Sequence, residues 1–338
     1  MSPRSPAPRS PRPIGSPVLD SLGPVIEGSR HVRTDVGRIV EHAGWMAYEE
    51  LPFPDFGLPL AERGRADDMI DVTMVQACIN TAFTDFATGR KFEVEHDGQR
   101  LSDSLAMIAC LKRAMDQGLP LLDGNCLAQL TREDLERIFA GTIPLPMLDE
   151  KCAVLNEVGR VLVARHGGRF HHFVATCSPR LYDQGRGLVE RLVTEFPRFN
   201  DVSPYRGREV RFYKLAQLAF WMLHCGLRRH GGFRLDDLSS MTAFADYIVP
   251  VALRVMGILV YTPDLDRRIA AGAEIPRDSD EEIEIRAHTL HATALLTEEV
   301  NARRPPDRQV VIPQIDARLW MAYHATHWPH HLTRTTMY

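Results

Sequence analysis

The sequence has no long block of lysine or arginine: its 338 residues carry 40 basic and 44 acidic side chains, for a formal charge of −4. A protein whose affinity comes from neutralising many backbone phosphates needs a basic stripe, so no nucleic-acid polymer is expected as partner. A local basic pocket stays open. The cysteines, Cys78, Cys110, Cys126, Cys152, Cys177 and Cys225, form no CxxC pair and follow no regular spacing. That excludes a disulfide framework and reads as reduced, mostly buried thiols. No apolar run reaches the length of a membrane span, and no secretory leader pattern opens the chain. The expectation is a soluble, cytoplasmic protein with no membrane partner. Histidines pair as direct neighbours at His171/His172 and His330/His331, not at the spacing of zinc ligands. No metal is therefore expected. No repeat appears at solenoid periods of about 20–50 residues. A chain this long can bury a sizeable core without staples.

What is present is helical punctuation. Residues 1–17 are rich in Pro, Ser and Arg without an acid or an aromatic, and read as a disordered tail. From Val18 to residue 338 the chain reads as a single all-α domain with at most one small hairpin. Val18–Leu51 suggests two short helices before the turn-rich PFPDFGLP. Phe92–Ser102 has strand character around Asp97-Gly98, a good hairpin turn. Helices follow at roughly 103–117, 131–139, 150–166 and 181–195. Thr131 with Asp134 forms a capping box, and Arg165-His-Gly-Gly168 supplies C-terminal chemistry. Further helices are expected at 209–228, 236–248, 250–260, 264–272, 279–303 and 314–327.

Some stretches carry more than punctuation. In MTAFADYIVP (241–250) one carboxylate, Asp246, sits among Phe244, Ala245, Tyr247, Ile248 and Val249. Pro250 cannot donate to the carbonyl of Asp246, so a helix here is kinked or restarted beside the carboxylate. A buried charge at a helix irregularity is a site candidate. An Asp that caps the helix opening at Pro250 fits the same letters, and both readings stand. The apolar helix over 209–228 bears a stripe of Lys214, Gln217 and His224, which faces water or lines a pocket. Lysine is seldom buried alone, so the water-facing reading leads. The run DSDEEIEIR opens a helix where the dipole favours acids, which leaves Glu284 and Arg286 beyond the first turn unexplained. The closing WPHHLTRTTMY is too aromatic and basic for a frayed end and is expected to dock.

Taken together, FPRFNDVSPYRGREVRFYKLAQ (196–217), MTAFADYIVP (241–250), EEIEIRA (281–287) and PHHLTRTTMY (329–338) resemble the queuosine salvage family of queuosine 5′-phosphate N-glycosylases. The likeness extends through IPLPMLDEKCAVLNEVG (143–159) and the Ser29-Arg-His-Val opening, over roughly residues 20–338. The resemblance implies an all-α hydrolase built like DNA glycosylases. It would release queuine and ribose 5-phosphate from queuosine 5′-phosphate, its small-molecule partner, as a cofactor-free monomer. It implies Asp246 as the essential carboxylate, with Lys214 in the same pocket. Phe244 and Tyr247 would surround base and sugar, and His331 and Arg334 would face the phosphate. The sequence departs from the family in places. Asn80-Thr-Ala-Phe83-Thr stands where an Asn-Phe-x-Phe-Trp run is usual, Leu215 breaks FYKRAQ, Val251 replaces a glutamine, and Leu332 an arginine. Asn80 remains the substrate-side candidate of the first of these.

The residue types suit that chemistry. Breaking an N-glycosidic bond builds positive charge on the ribose, which an ionised Asp246 can stabilise, or relieve by taking a proton from water. A Lys214 ammonium nearby favours the ionised form. The 7-deazaguanine base has no N7 to protonate, so its departure needs a donor elsewhere. Asp316 and Glu284 are candidates for base or cyclopentenediol contacts, and Trp320 for stacking. The alternatives are a helical DNA-repair glycosylase, disfavoured by charge, and a non-catalytic nucleotide-binding protein.

Overall fold

The computed structural model describes residues 16–55, 66–228, 232–324, 326 and 328–338. Residues 1–15, nearly all of the expected tail, lie outside this set, as does much of the PFPDFGLP turn. Among the described residues the architecture is mainly helical, joined by short antiparallel strand pairs.

Locally signalled elements form where their letters place them. Thr131 Oγ1 accepts from Asp134 N–H at 3.2 Å while Asp134 accepts from Thr131 N–H at 2.9 Å, and the helix Arg132–Ile138 follows. Asp97 and Gly98 take φ of 50° and 74°, the mirror-image turn that fits strand twist. They join Glu93–His96 to Gln99–Ser102, with Val94 opposite Leu101. The helix Leu148–Arg165 ends at His166 and the positive-φ pair Gly167-Gly168.

The expectation of at most one hairpin is corrected. A second hairpin pairs Val202–Tyr205 with Arg208–Arg211 across Arg206-Gly207, so the helix expected from 209 starts only at Lys214. Val32–Thr34 pairs with the distant Leu259–Tyr261, which makes the opening segment short helices plus a strand followed by the helix Val36–Met46. The helix expected over 181–195 begins at Leu188. No helix spans 236–248: a 3-10 turn at Leu238–Ser240 leads into irregular backbone, and the helix Val249–Val255 opens beyond it.

Two apolar helices, Ala66–Ile79 and Lys214–Leu227, pack together in the larger core. A second core gathers on Asp280–Asn301, Ile312–Tyr323 and Val249–Val255, and a third joins Val18 and Val25 to Tyr205, Phe212 and Ile283. The irregular segment sits where they meet: Phe244 belongs to the first core, Val249 to the second, and Ala243 and Ala245 to the third. Anything held by this segment is braced from three sides.

Close packing also fixes the crossing of Gly124–Leu127 on Leu148–Arg165. A Cβ on Gly159 would fall 2.6 Å from the Gly124 carbonyl oxygen and 2.9 Å from Ala128 Cα, both backbone atoms that cannot swing aside. Gly159→Ala is expected to destabilise the fold by about 1–3 kcal/mol, the usual cost of overpacking, read as a lowered thermal midpoint. An unchanged midpoint would mean that the crossing is loose.

Candidate active site

The site is built on residues 241–249, a stretch apolar enough to be buried yet stripped of helical hydrogen bonds. Its backbone is held by side chains from elsewhere. Thr242 N–H donates to Gln217 Oε1 at 2.9 Å, and Gln217 Nε2 returns a bond to Thr242 Oγ1 at 2.9 Å. Phe244 N–H donates to Asp316 Oδ1 at 2.8 Å. Arg286 Nε donates to the Ala245 carbonyl at 3.2 Å. Buried backbone must find partners, and here they come from three separate helices.

The hydrogen bonds of Asp246 express the capping reading of its sequence. Its Oδ1 accepts from Ile248 N–H at 2.8 Å and Val249 N–H at 3.1 Å, capping the helix that carries Pro250. Its Oδ2 has no hydrogen-bond partner among the described residues. Asp316, on the helix Ile312–Tyr323, likewise gives one oxygen to Phe244 N–H and leaves the other free.

Lys214 opens the helix Lys214–Leu227, after Tyr213 at φ 47°. The water-facing reading of its stripe is overturned: Lys214, Gln217 and His224 are all buried. Gln217 serves Thr242, and His224 Nδ1 accepts from Leu235 N–H at 3.1 Å. The Lys214 ammonium forms no hydrogen bond or ion pair among the described residues, yet Asp246 and Asp316 are its leading charged neighbours. Burial pushes the Lys214 ammonium below the usual lysine range, and the two carboxylates push back. Burial also raises the Asp246 carboxyl, against Lys214 and the two capping N–H groups. The ammonium therefore favours ionisation, as expected, but does not outweigh desolvation. The Asp316 carboxyl is driven well up, first by burial and next by the charge of Asp246. Two carboxylates of unequal acidity thus share one space with an unpartnered cation.

The remaining candidates are distributed around this centre. The Tyr247 ring stacks on His330, with centroids 4.5 Å apart, and walls a pocket that Phe83, Phe86, His331 and Thr333 also line. Burial, with Asp103 and Asp246 nearby, lifts the Tyr247 phenol well above its ordinary value. His331 is buried and pushed down to about 3, so its imidazole is neutral. Arg334 lies over the Phe86 ring at 4.1 Å and pairs with Glu274 at 2.8 Å. Phe244 contributes its backbone, its side chain being core. Asn80 is half-buried past the end of Ala66–Ile79, two residues before Ala82 on the pocket wall. Glu284 is anchored: it accepts from the N–H groups of Arg30, His31 and Val32 at 2.6–3.1 Å and from Tyr205 Oη at 3.0 Å. This accounts for the acid left over from the first helical turn and for the Ser29-Arg-His-Val opening. Trp320 stacks on His324 at 4.5 Å. The closing segment docks as expected, with Tyr338 buried. Asp201 was not singled out from sequence, because it acquires its role from a partner on a distant element.

Among the described residues no cluster of His, Cys, Asp and Glu suits a metal ion, and no helix is long and apolar enough to cross a membrane.

A pair of buried carboxylates pushed to different acidities beside a cation is the equipment of an acid–base enzyme. The family model described as queuosine salvage protein matches residues 60–338, and the chain belongs to that family. It is similar to the queuosine 5′-phosphate N-glycosylase/hydrolase of Sphaerobacter thermophilus, 34% identical over 324 residues that span 95% of this chain and 97% of the other. The proteins of the same name from Mus musculus and Bos taurus are each 27% identical, over 80% and 75% of this chain and 81% and 71% of their own lengths. The resemblance drawn from the motifs is therefore the family itself.

Proposed function

We propose that this protein hydrolyses the N-glycosidic bond of queuosine 5′-phosphate, releasing queuine for salvage, with Asp246, Asp316 and Lys214 as its central groups. The observation that carries the reading is the placement of both carboxylates around one unpartnered ammonium. Two neighbouring carboxylates cannot both ionise freely. In this reading Asp246, whose rise is opposed by Lys214 and two N–H groups, is the one that ionises, and Asp316, driven well up by burial and by Asp246, keeps a proton. Ionised Asp246 stabilises the positive charge growing at C1′ as the C1′–N bond breaks, then accepts a proton from the water that adds there. Protonated Asp316 donates to the departing base, which has no N7 of its own to use. One proton leaves Asp316 and one arrives on Asp246, so a transfer across the shared space resets the site.

Tyr247 and the backbone at Phe244 shape the base and sugar environment in this reading. Arg334, stacked on Phe86 beside the pocket, would turn from Glu274 to the phosphate, while neutral His331 offers a hydrogen bond. Asn80 lies on the same side, and Glu284 acts through the Arg30–Val32 segment it holds. The reading further takes residues 18–338 as one helical unit arranged like DNA glycosylases, a cytoplasmic monomer acting on a mononucleotide. The net charge of −4 supports a small substrate over a polymer.

The test is chromatographic detection of free queuine after incubation with queuosine 5′-phosphate, with queuosine-containing tRNA and damaged duplex DNA in parallel. Release from the mononucleotide alone is expected. Release from DNA would favour a repair glycosylase, and binding without release a nucleotide-binding protein.

A further inference from the structure

Arg286 was left over by the sequence, since a cation beyond the first turn of Asp280–Asn301 has no helix-end role. In the structure it is buried with Asp201: Nη1 donates to Oδ1 at 3.0 Å and Nη2 to Oδ2 at 2.5 Å. Its guanidinium lies between two aromatic faces, 3.9 Å from the Phe212 centroid and 4.2 Å from that of Tyr338. The third nitrogen, Nε, donates to the carbonyl of Ala245, the residue before Asp246. Asp201 continues the connection on the other side. Its Oδ2 accepts from Lys214 N–H at 3.3 Å, and its carbonyl accepts from Phe212 and Tyr213 N–H at 2.9 and 3.1 Å. The Arg286–Asp201 pair, with Glu282 a further 3.7 Å from Nη1, thus holds the backbone at both Asp246 and Lys214.

We propose that Arg286, clamped by Asp201 and flattened between Phe212 and Tyr338, is the positioning residue that sets the separation of Asp246 and Lys214; this rests on the catalytic reading of those two side chains. Buried ion pairs are poor devices for stability, because desolvation offsets most of their attraction. They are good devices for geometry. Only a planar guanidinium can meet a carboxylate with two parallel bonds, keep a third donor for a carbonyl, and offer both faces to rings; lysine can do one of these at a time. Each nitrogen of Arg286 is directed at protein, so it acts on the reaction through Asp246 and Lys214 without touching substrate. The docking of the closing segment then has a purpose, because Tyr338 supplies one face of the clamp.

The experiment compares kcat and KM for queuine release in Arg286→Lys, Tyr338→Leu and Tyr338→Phe, with Asp246→Asn as reference and thermal midpoints throughout. Misplacing a reacting group by an ångström costs on the order of a hundredfold in rate. Arg286→Lys and Tyr338→Leu are therefore expected to lose about tenfold to a hundredfold in kcat per folded molecule, with KM nearly unchanged in Arg286→Lys, since Tyr338 also lines the pocket. Tyr338→Phe, which keeps the ring, is expected to restore most of kcat. Should Arg286→Lys fail to fold, the milder Tyr338→Leu carries the comparison. A lowered midpoint with wild-type kcat in Tyr338→Leu, alongside an inactive Asp246→Asn, would overturn the positioning role and leave the site intact. Wild-type activity in Asp246→Asn would instead remove the reading on which it rests.

Discussion

Asp246→Asn is expected to abolish queuine release to within about a thousandth of the wild-type rate while leaving the protein folded and able to bind queuosine 5′-phosphate. Asparagine keeps an oxygen where Oδ1 accepts from Ile248 and Val249 N–H, so the cap on Val249–Val255 survives. What disappears is the charge. General-base assistance contributes roughly 10²–10⁴ in rate, and a single preorganised electrostatic contact about 10²–10³. A group serving both ends of the reaction should therefore cost at least about 4 kcal/mol of barrier, or a thousandfold. Chromatography of single-turnover reactions measures the rate, and calorimetry with the intact nucleotide measures binding. Equal rates would take Asp246 out of the mechanism.

Lys214→Met should change the shape of the pH profile as well as its height. In the wild type, burial raises the Asp246 carboxyl and the Lys214 ammonium opposes that rise. In the proposed mechanism Asp246 must be ionised, so the acid limb of kcat should follow its apparent pKa. Without the ammonium that pKa climbs further, because the charge opposing the effect of burial is gone. The acid limb moves to higher pH, and the deficit is deepest in mildly acidic buffer and shrinks as pH rises. Burial also lowers the Lys214 ammonium, so the wild type loses it at alkaline pH and its profile falls again; the variant, lacking that group, should show no alkaline limb of this origin. Profiles of kcat from about pH 5 to pH 10 decide the matter. A variant with both limbs at wild-type positions would exclude Lys214 from the titration. Because the two carboxylates titrate together, the apparent values belong to the pair.

The elements legible in the sequence were those whose causes are local. Thr131 with Asp134, and Asp97 with Gly98, carry their full instruction within four residues. The strand Arg208–Arg211 was absorbed into a helix because Val210 and Phe212 continue the apolar run of Lys214–Leu227, and four residues are too few to display alternation. The strands Val32–Thr34 and Leu259–Tyr261 complete each other only in space. The segment around Asp246 has helical spacing, but its N–H and C=O groups are claimed by Gln217, Asp316 and Arg286, and tertiary bonds override the local pattern. The same reason hid the burial of Lys214. Its charged neighbours Asp246 and Asp316 lie on other elements, so a stripe that looks solvated on its own helix closes over when they arrive. The motifs pointed to Asp246 and Lys214; the burial that raises the Asp246 and Asp316 carboxyls belongs to the fold alone.

The bonds from Glu284 to the N–H groups of Arg30 and Val32 tie together residues 254 and 252 positions apart in the chain, and this bears on how the protein is made. A ribosome adds about 5–20 residues per second, so the Arg30–Val32 segment waits on the order of tens of seconds before its anchor has even been synthesised. Closing so long a loop also slows folding relative to a bundle of local contacts. The Arg30–Val32 amides thus cannot complete their hydrogen bonds until Glu284 is made, and in a nascent chain stalled before Glu284 those amide protons should exchange with solvent freely.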